Sequence, residues 1–175
     1  MTSWYLVLVL ATGVERLAEL VVAKRHAAWA FAHGGIETRQ RHYPPMVALH
    51  TGLLIACLVE VQVADRPFLP VLGWTAFALV LASQALRWWC ITTLGNLWNT
   101  RVIVVPGVAL VARGPYRWLR HPNYVAVAVE GAALPLVHTA WVTALAFTVL
   151  NAILLLGFRI PTEERALRSV AVAPA

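Results

Sequence analysis

Charge is what this chain has least of. Only 13% of its 175 residues are charged and 60% are hydrophobic, whereas soluble domains carry about 25% charged and roughly 45–50% apolar residues. That balance excludes an ordinary soluble domain and indicates an integral membrane protein. Cysteine is almost absent. Cys57 and Cys90 lie in apolar stretches, with no ligand spacing to each other or to a histidine, so no metal site is expected and both read as buried thiols. There is no Gly-x-Gly-x-x-Gly, hence no soluble nucleotide-binding cradle. Internal repeats and low-complexity segments are missing too. The N-terminus lacks a basic run and a small-residue cleavage site, so the first apolar segment is expected to be retained. The formal net charge of +6 does not gather in one patch. The positives fall between apolar segments, which argues against nucleic acid and for the cytoplasmic membrane face.

A bilayer-spanning helix needs about 20 mainly apolar residues. Spans are expected at residues 4–23, 46–64, 68–94, 123–134 and 138–158, the fourth short and closed by a turn at 135–139. The fold class expected is therefore an all-α integral membrane protein of about five spans, one domain over residues 1–175, its last two spans a helical hairpin. Lys24, Arg25, Arg39 and Arg41 follow the first span, Arg101, Arg113, Arg117 and Arg120 the third, and Arg159, Arg165 and Arg168 the last. Positive residues favour the cytoplasm, so the N-terminus is expected outside. The first loop, the third loop and the C-terminal tail then share the cytoplasmic face of the inner membrane. Two β-branched runs, 102–105 and 108–111, flank Pro106-Gly107 and predict a short hairpin or extended lip.

The densest polar stretch is Gly114-Pro115-Tyr116-Arg117-Trp118-Leu119-Arg120-His121-Pro122-Asn123-Tyr124. Gly-Pro breaks the chain and permits close backbone approach. The aromatics suit an interface. Arg117 and Arg120 can fork onto a carboxylate, and Pro122 can open a helix whose N-terminus favours an anion. Taken alone, the stretch reads either as a juxtamembrane anchor or as a binding loop. The second constellation is Glu163-Glu164. After Pro161-Thr162 it reads as a helix start with favourable carboxylates, or as a pair of acceptors for a ribose or an α-amino group. One hairpin separates the two constellations, so they can converge.

Gly-Pro-Tyr-Arg-x-x-Arg-His-Pro-x-Tyr, then an apolar hairpin, then Glu-Glu, resembles the isoprenylcysteine carboxyl methyltransferase family. These are small membrane methyltransferases that use S-adenosylmethionine. The signature covers roughly residues 102–167. Glu15-Arg16-Leu17-x-Glu19-Leu20, Lys24-Arg25, Gly34-Gly35-x-Glu37, His42-Tyr43-Pro44, Leu86-Arg87-x-Trp89-Cys90 and Trp98-Asn99-Thr100 look like a bacterial branch of that family, linked to type III polyketide synthases, whose members O-methylate alkylpyrones or phenolic lipids. The resemblance implies that Val108, Leu110, Tyr116, His121, Pro122, Tyr124 and Glu163 line the cofactor pocket. It implies that Arg120 orients the acceptor, with His121 or Glu164 as a base where one is needed. The acceptor implied is a lipophilic small molecule reached from membrane lipid, either a polyketide-lipid hydroxyl or an isoprenylcysteine-like carboxylate. A small transporter or scaffold is the non-enzymatic rival.

Ionisable residues inside spans are costly and usually paired or functional. Glu15 and Glu19 share a helix face, and Arg16 is expected to pair with neither at good spacing. Arg87 is a cross-helix candidate partner, and Glu130 should face the bundle interior. Arg87, Trp89, Asn99 and Glu130 are carried forward as acceptor-side candidates. His50 reads as a packing or hydrogen-bonding residue, His42-Tyr43-Pro44 as a helix start or capture point, and Trp29 and Phe31 as interfacial anchors or a gate. His138 falls on the far side.

Overall fold

A computed structural model describes residues 3–171; the apolar tail at 172–175, to which no role was attached, lies outside them. The chain forms α1 (Ser3–Ala32), β1 (Ile36–Glu37), α2 (Tyr43–Val63), α3 (Pro70–Leu94), β2 (Ile103–Val104), α4 (Pro122–Leu136), α5 (Trp141–Leu154) and α6 (Ile160–Ala171). Short 3₁₀ turns at Gly95–Leu97 and Gly114–Arg117 punctuate the third loop. Among the described residues, three helical runs are long and apolar enough to cross a membrane by themselves: Tyr43–Val63, Pro70–Leu97 and Trp141–Ser169. At 15 residues α4 is only about 22 Å long, and α1 carries Glu15, Arg16 and Glu19 within its apolar stretch.

The bundle is built around α4, which packs against α3 on one side and α5 on the other. Its core joins Tyr5 and Val9 of α1, Leu53, Cys57 and Val61 of α2, Ala76 and Val80 of α3, Leu134 and Val137 at the end of α4, and Phe147 of α5. Tyr5 donates its hydroxyl to the Leu134 carbonyl at 3.0 Å. The outer faces stay apolar, with Val63 and Val71 more than 80% exposed, as lipid contact requires. At the end away from the polar loops, Glu60 accepts from the Val142 and Thr143 amides and the Thr143 hydroxyl. It thereby caps α5, and Arg66 pairs with it at 2.9 Å. His138 lies in this half against Tyr5 and Phe68.

Four local expectations are corrected. α1 runs on to Ala32, well past residue 23. The turn between α4 and α5 falls after Leu136, and Pro135 stays inside α4. Of the two forms expected for 102–111, a hairpin or an extended lip, the hairpin does not form. Pro106-Gly107 does turn, with the Val108 amide bonded to the Val105 carbonyl at 3.4 Å, but the second run joins no ladder. β2 pairs instead with β1 of the first loop, antiparallel, Ile36 opposite Val104 and Glu37 opposite Ile103. Finally, Pro161 does not open a separate helix. A π-turn at Leu155–Arg159 carries α5 directly into α6. Proline lacks the N–H that would continue the ladder, and the widened turn beside it takes up the mismatch.

Candidate functional site

The loop after β2 is fastened to α3 before it reaches α4. Gly114 sits at φ +55°, and a Cβ there would lie 2.5 Å from Thr93 Oγ1 and 3.2 Å from Trp89 Nε1; only glycine meets both demands. Pro115 is buried in the following turn, and Tyr116 lies against Cys90 of α3. Burial, then Cys90, pushes the Tyr116 hydroxyl's pKa well above its ordinary value. Trp118 meets Trp89 edge-on at 5.9 Å. His121 then stands at the position before α4, without a capping side-chain bond, and Pro122 supplies the helix's first residue.

This entry brings the loop and the acidic pair together. The Tyr124 hydroxyl donates to Glu163 Oε2. His121 lies with Nδ1 3.5 Å from Glu163 and Nε2 3.5 Å from Glu164, and its ring stacks on Tyr124 at 5.5 Å. Glu163 is thus the partner of Tyr124, while Glu164 faces His121 and Arg168. Both glutamates hold the His121 pKa above its usual value, Glu163 most strongly and against the opposing effect of burial. For Glu163 burial acts upward, but bonds from His121 and Tyr124 and the nearby Arg159 charge hold its carboxyl below the usual range.

Arg159 and Gln40 belong to the cluster and were not foreseen. Arg159 is buried in the π-turn. Its Nε donates to the Tyr124 hydroxyl at 2.9 Å, its Nη1 donates to Gln40 Oε1, and Nε stands 4.0 Å from Glu163. The i,i+4 spacing of Arg159 and Glu163 was a usable signal; nothing in the sequence marked Gln40. Burial, with Arg159 next in weight, also lowers the pKa of His42 at the start of α2.

Other candidates fall elsewhere. Arg120 is exposed and makes no ion pair among the described residues. Val108 and Leu110 are exposed at 44% and 71% on an apolar lip. Asn99 is occupied with backbone: its Nδ2 donates to the Ala23 carbonyl and its Oδ1 accepts from the Arg101 amide, both at 3.0 Å. Arg87 and Glu130 bond each other inside the bundle. Arg16 reaches Glu130 at 2.8 Å and Gln84 at 3.0 Å. The expectation that Arg16 would pair with neither neighbour fails, because it binds Glu19 one turn on at 2.7 Å. Arg87 closes the network on Glu19 at 3.3 Å, and Trp88 donates to Glu15 at 2.7 Å. His50 bonds the Met46 carbonyl and packs on Phe147, and Arg101 lies over Phe31.

The profile of the isoprenylcysteine carboxyl methyltransferase (ICMT) family matches residues 75–169, more than half of the chain, from within α3 through the acidic pair. Over 170 residues the chain is 38% identical to the uncharacterized protein YpbQ of Bacillus subtilis (strain 168), covering 97% of this chain and 98% of that one. The fold resembles a solved structure of the eukaryotic intramembrane Ras methyltransferase ICMT. The TM-score is 0.55 at 23% identity, covering 72% of this chain and 46% of that one. This protein therefore spans less than half of that enzyme's length, and the likeness is one of fold. A helical membrane bundle with no Rossmann sheet, carrying this loop and acidic pair, falls in the class of membrane methyltransferases. The chain belongs to the isoprenylcysteine carboxyl methyltransferase family.

Proposed function

We propose that this protein is a five-span, single-domain enzyme of the inner membrane that methylates an oxygen of a lipophilic acceptor, using S-adenosylmethionine at its cytoplasmic face. The observation that carries this reading is the cluster of Tyr124, His121, Glu163 and Glu164, formed between two segments about 40 residues apart. Its donor set suits that cofactor. Two carboxylates can accept from ribose hydroxyls or an α-amino group, and the aromatic face of Tyr124 suits a cationic sulfonium. The exposed lip beside it carries Val108 and Leu110, apolar side chains that fit a covering role over adenosine. Tyr116 closes the wall toward α3, and Pro122 fixes where α4 begins.

When bound, the cofactor supplies a methyl carbon already activated by its sulfonium. The chain's own task is to hold the acceptor oxygen in line and keep water out. Arg120, exposed and uncommitted, is assigned to orienting an anionic acceptor. Glu164 is the better-placed base for a hydroxyl acceptor, since its partners are looser than those of Glu163. His121, between two carboxylates, favours the protonated ring and serves first to hold them. Trp89, with Arg87 and Glu130 deeper in the bundle, lines the proposed acceptor route from the lipid, and Asn99 fixes the loop bordering it.

The acceptor we favour is the hydroxyl of an alkylpyrone- or alkylresorcinol-type lipid, with a functional link to a type III polyketide synthase. A second reading, carboxyl methylation of an isoprenylcysteine-like compound, is favoured by the family's description and by the structural neighbour. Purified protein supplied with labelled S-adenosylmethionine and both acceptor classes decides between them. Label on the phenolic lipid alone supports the first; label on the prenylcysteine alone overturns it. Absence of S-adenosylhomocysteine binding to folded protein, measured by calorimetry, would overturn the methyltransferase reading itself.

A further inference from the structure

A second polar recess lies beside the cluster and is not used by the chemistry above. It is a cleft of about 560 Å³ lined by Glu37, Thr38, Arg39, Gln40, Tyr43 and Arg101, with Pro44 at its edge. That volume is within the roughly 300–1,000 Å³ usual for small-molecule sites. The cleft has a firm frame. The β1–β2 ladder holds Glu37 and the segment just after Arg101, and the Thr38 amide bonds the Val102 carbonyl at 3.0 Å. The Tyr43 and Thr100 hydroxyls stand 3.4 Å apart across one side.

Its charge is uneven. Glu37 is answered by Arg101 at 2.9 Å. Arg39 has no ion-pair partner among the described residues. Gln40 turns its oxygen to Arg159, which leaves its Nε2 buried without a hydrogen-bond acceptor. Two guanidiniums against one carboxylate leave the cleft net positive, which suits anionic oxygen such as a carboxylate or phosphate. The cleft also opens where α2 begins, at the predicted headgroup level, so the anion should be carried on an amphiphile.

We propose that this cleft binds the phosphate or carboxylate of an amphiphile, through Arg39 and Arg101. The ligand would be either a membrane lipid headgroup or the charged group of a free lipophilic small molecule. Through Gln40 and Arg159 the site adjoins Tyr124 and Glu163, yet the inference stands without the methyl-transfer reading.

The test is calorimetric titration of the full chain in phosphatidylcholine nanodiscs with dodecyl phosphate, and with dodecylphosphocholine as the uncharged-overall control. Dodecyl phosphate should saturate and bind about tenfold tighter than the control. The R39Q/R101Q double variant should lose about tenfold in affinity while melting cooperatively like the parent. Equal affinity for the two amphiphiles, or an unchanged double variant, would overturn the proposal. Adding phosphatidylglycerol to the discs separates the sources. Displacement of the probe identifies lipid headgroups as occupants; undiminished binding identifies a free amphiphile's anion. Because the readout is amphiphile binding, failure here leaves S-adenosylhomocysteine binding untouched, and the reverse holds.

Discussion

At the scale of single residues, the Tyr124 hydroxyl is the pivot of the cluster, accepting from Arg159 while donating to Glu163. Removing it as Tyr124→Phe leaves a buried guanidinium donor without its partner, a loss of about 1–3 kcal/mol. We expect a lower melting temperature and weaker S-adenosylhomocysteine binding by calorimetry. The pH dependence has a definite sign. His121 has a raised pKa in the folded state, so its stabilisation is full below the ordinary 6.5 and is lost as pH rises through the higher folded value. Glu163 has a lowered one, so its stabilisation is full above 4.5 and is lost as pH falls through the folded value. The cluster is thus firmest in mildly acidic solution. In melting curves taken across pH, the destabilisation caused by His121→Gln should be largest near pH 5–6 and shrink above neutrality. A constant difference would contradict the assignment.

Among elements, two glycines mark where backbones must meet, and they serve different ends. Gly131 of α4 lies under Phe147 of α5, whose ring would be 1.8 Å from an added Cβ. Gly131→Ala should cost about 1–3 kcal/mol through overpacking, seen as a lower melting temperature with cofactor-analogue affinity kept. Gly114 holds the loop to α3 in the left-handed region, so Gly114→Ala adds about 1–2 kcal/mol of backbone strain plus the Thr93 contact. It should weaken S-adenosylhomocysteine binding more than it lowers the melting temperature. The π-turn belongs at this scale too. It continues α5 past Pro161 and buries Arg159 facing Gln40, which ties the first loop to the last helix.

For the whole molecule, the decisive feature is an ion network within the bundle, with three carboxylates (Glu15, Glu19, Glu130) around two guanidiniums (Arg16, Arg87). It joins α1, α3 and α4; Arg16 makes three of its five pairs, and Glu19 and Glu130 each bridge both guanidiniums. Glu130→Leu removes one of the two carboxylates that bridge both guanidiniums, leaving Glu19 alone to hold Arg87, and should cost about 3–5 kcal/mol, read as a large fall in melting temperature in detergent. Glu130→Gln keeps hydrogen-bond acceptance and should fall less.

The membrane class, the bundle's helices, and the meeting of residues 114–124 with Glu163-Glu164 were legible in the sequence. Hydropathy reports burial in lipid, and glycine, proline and paired glutamates constrain the backbone locally. Three things were not. The pairing of Ile103–Val104 with Ile36–Glu37 depends on which distant edge is nearby. The recruitment of Arg159 and Gln40 depends on helix phase after a π-turn. The division of labour between Glu163 and Glu164 depends on which one the rotation of α6 turns toward Tyr124. Composition and local motif decide what a segment is; distances between segments far apart in the chain exist only once the bundle has packed, and they fixed which polar groups face one another.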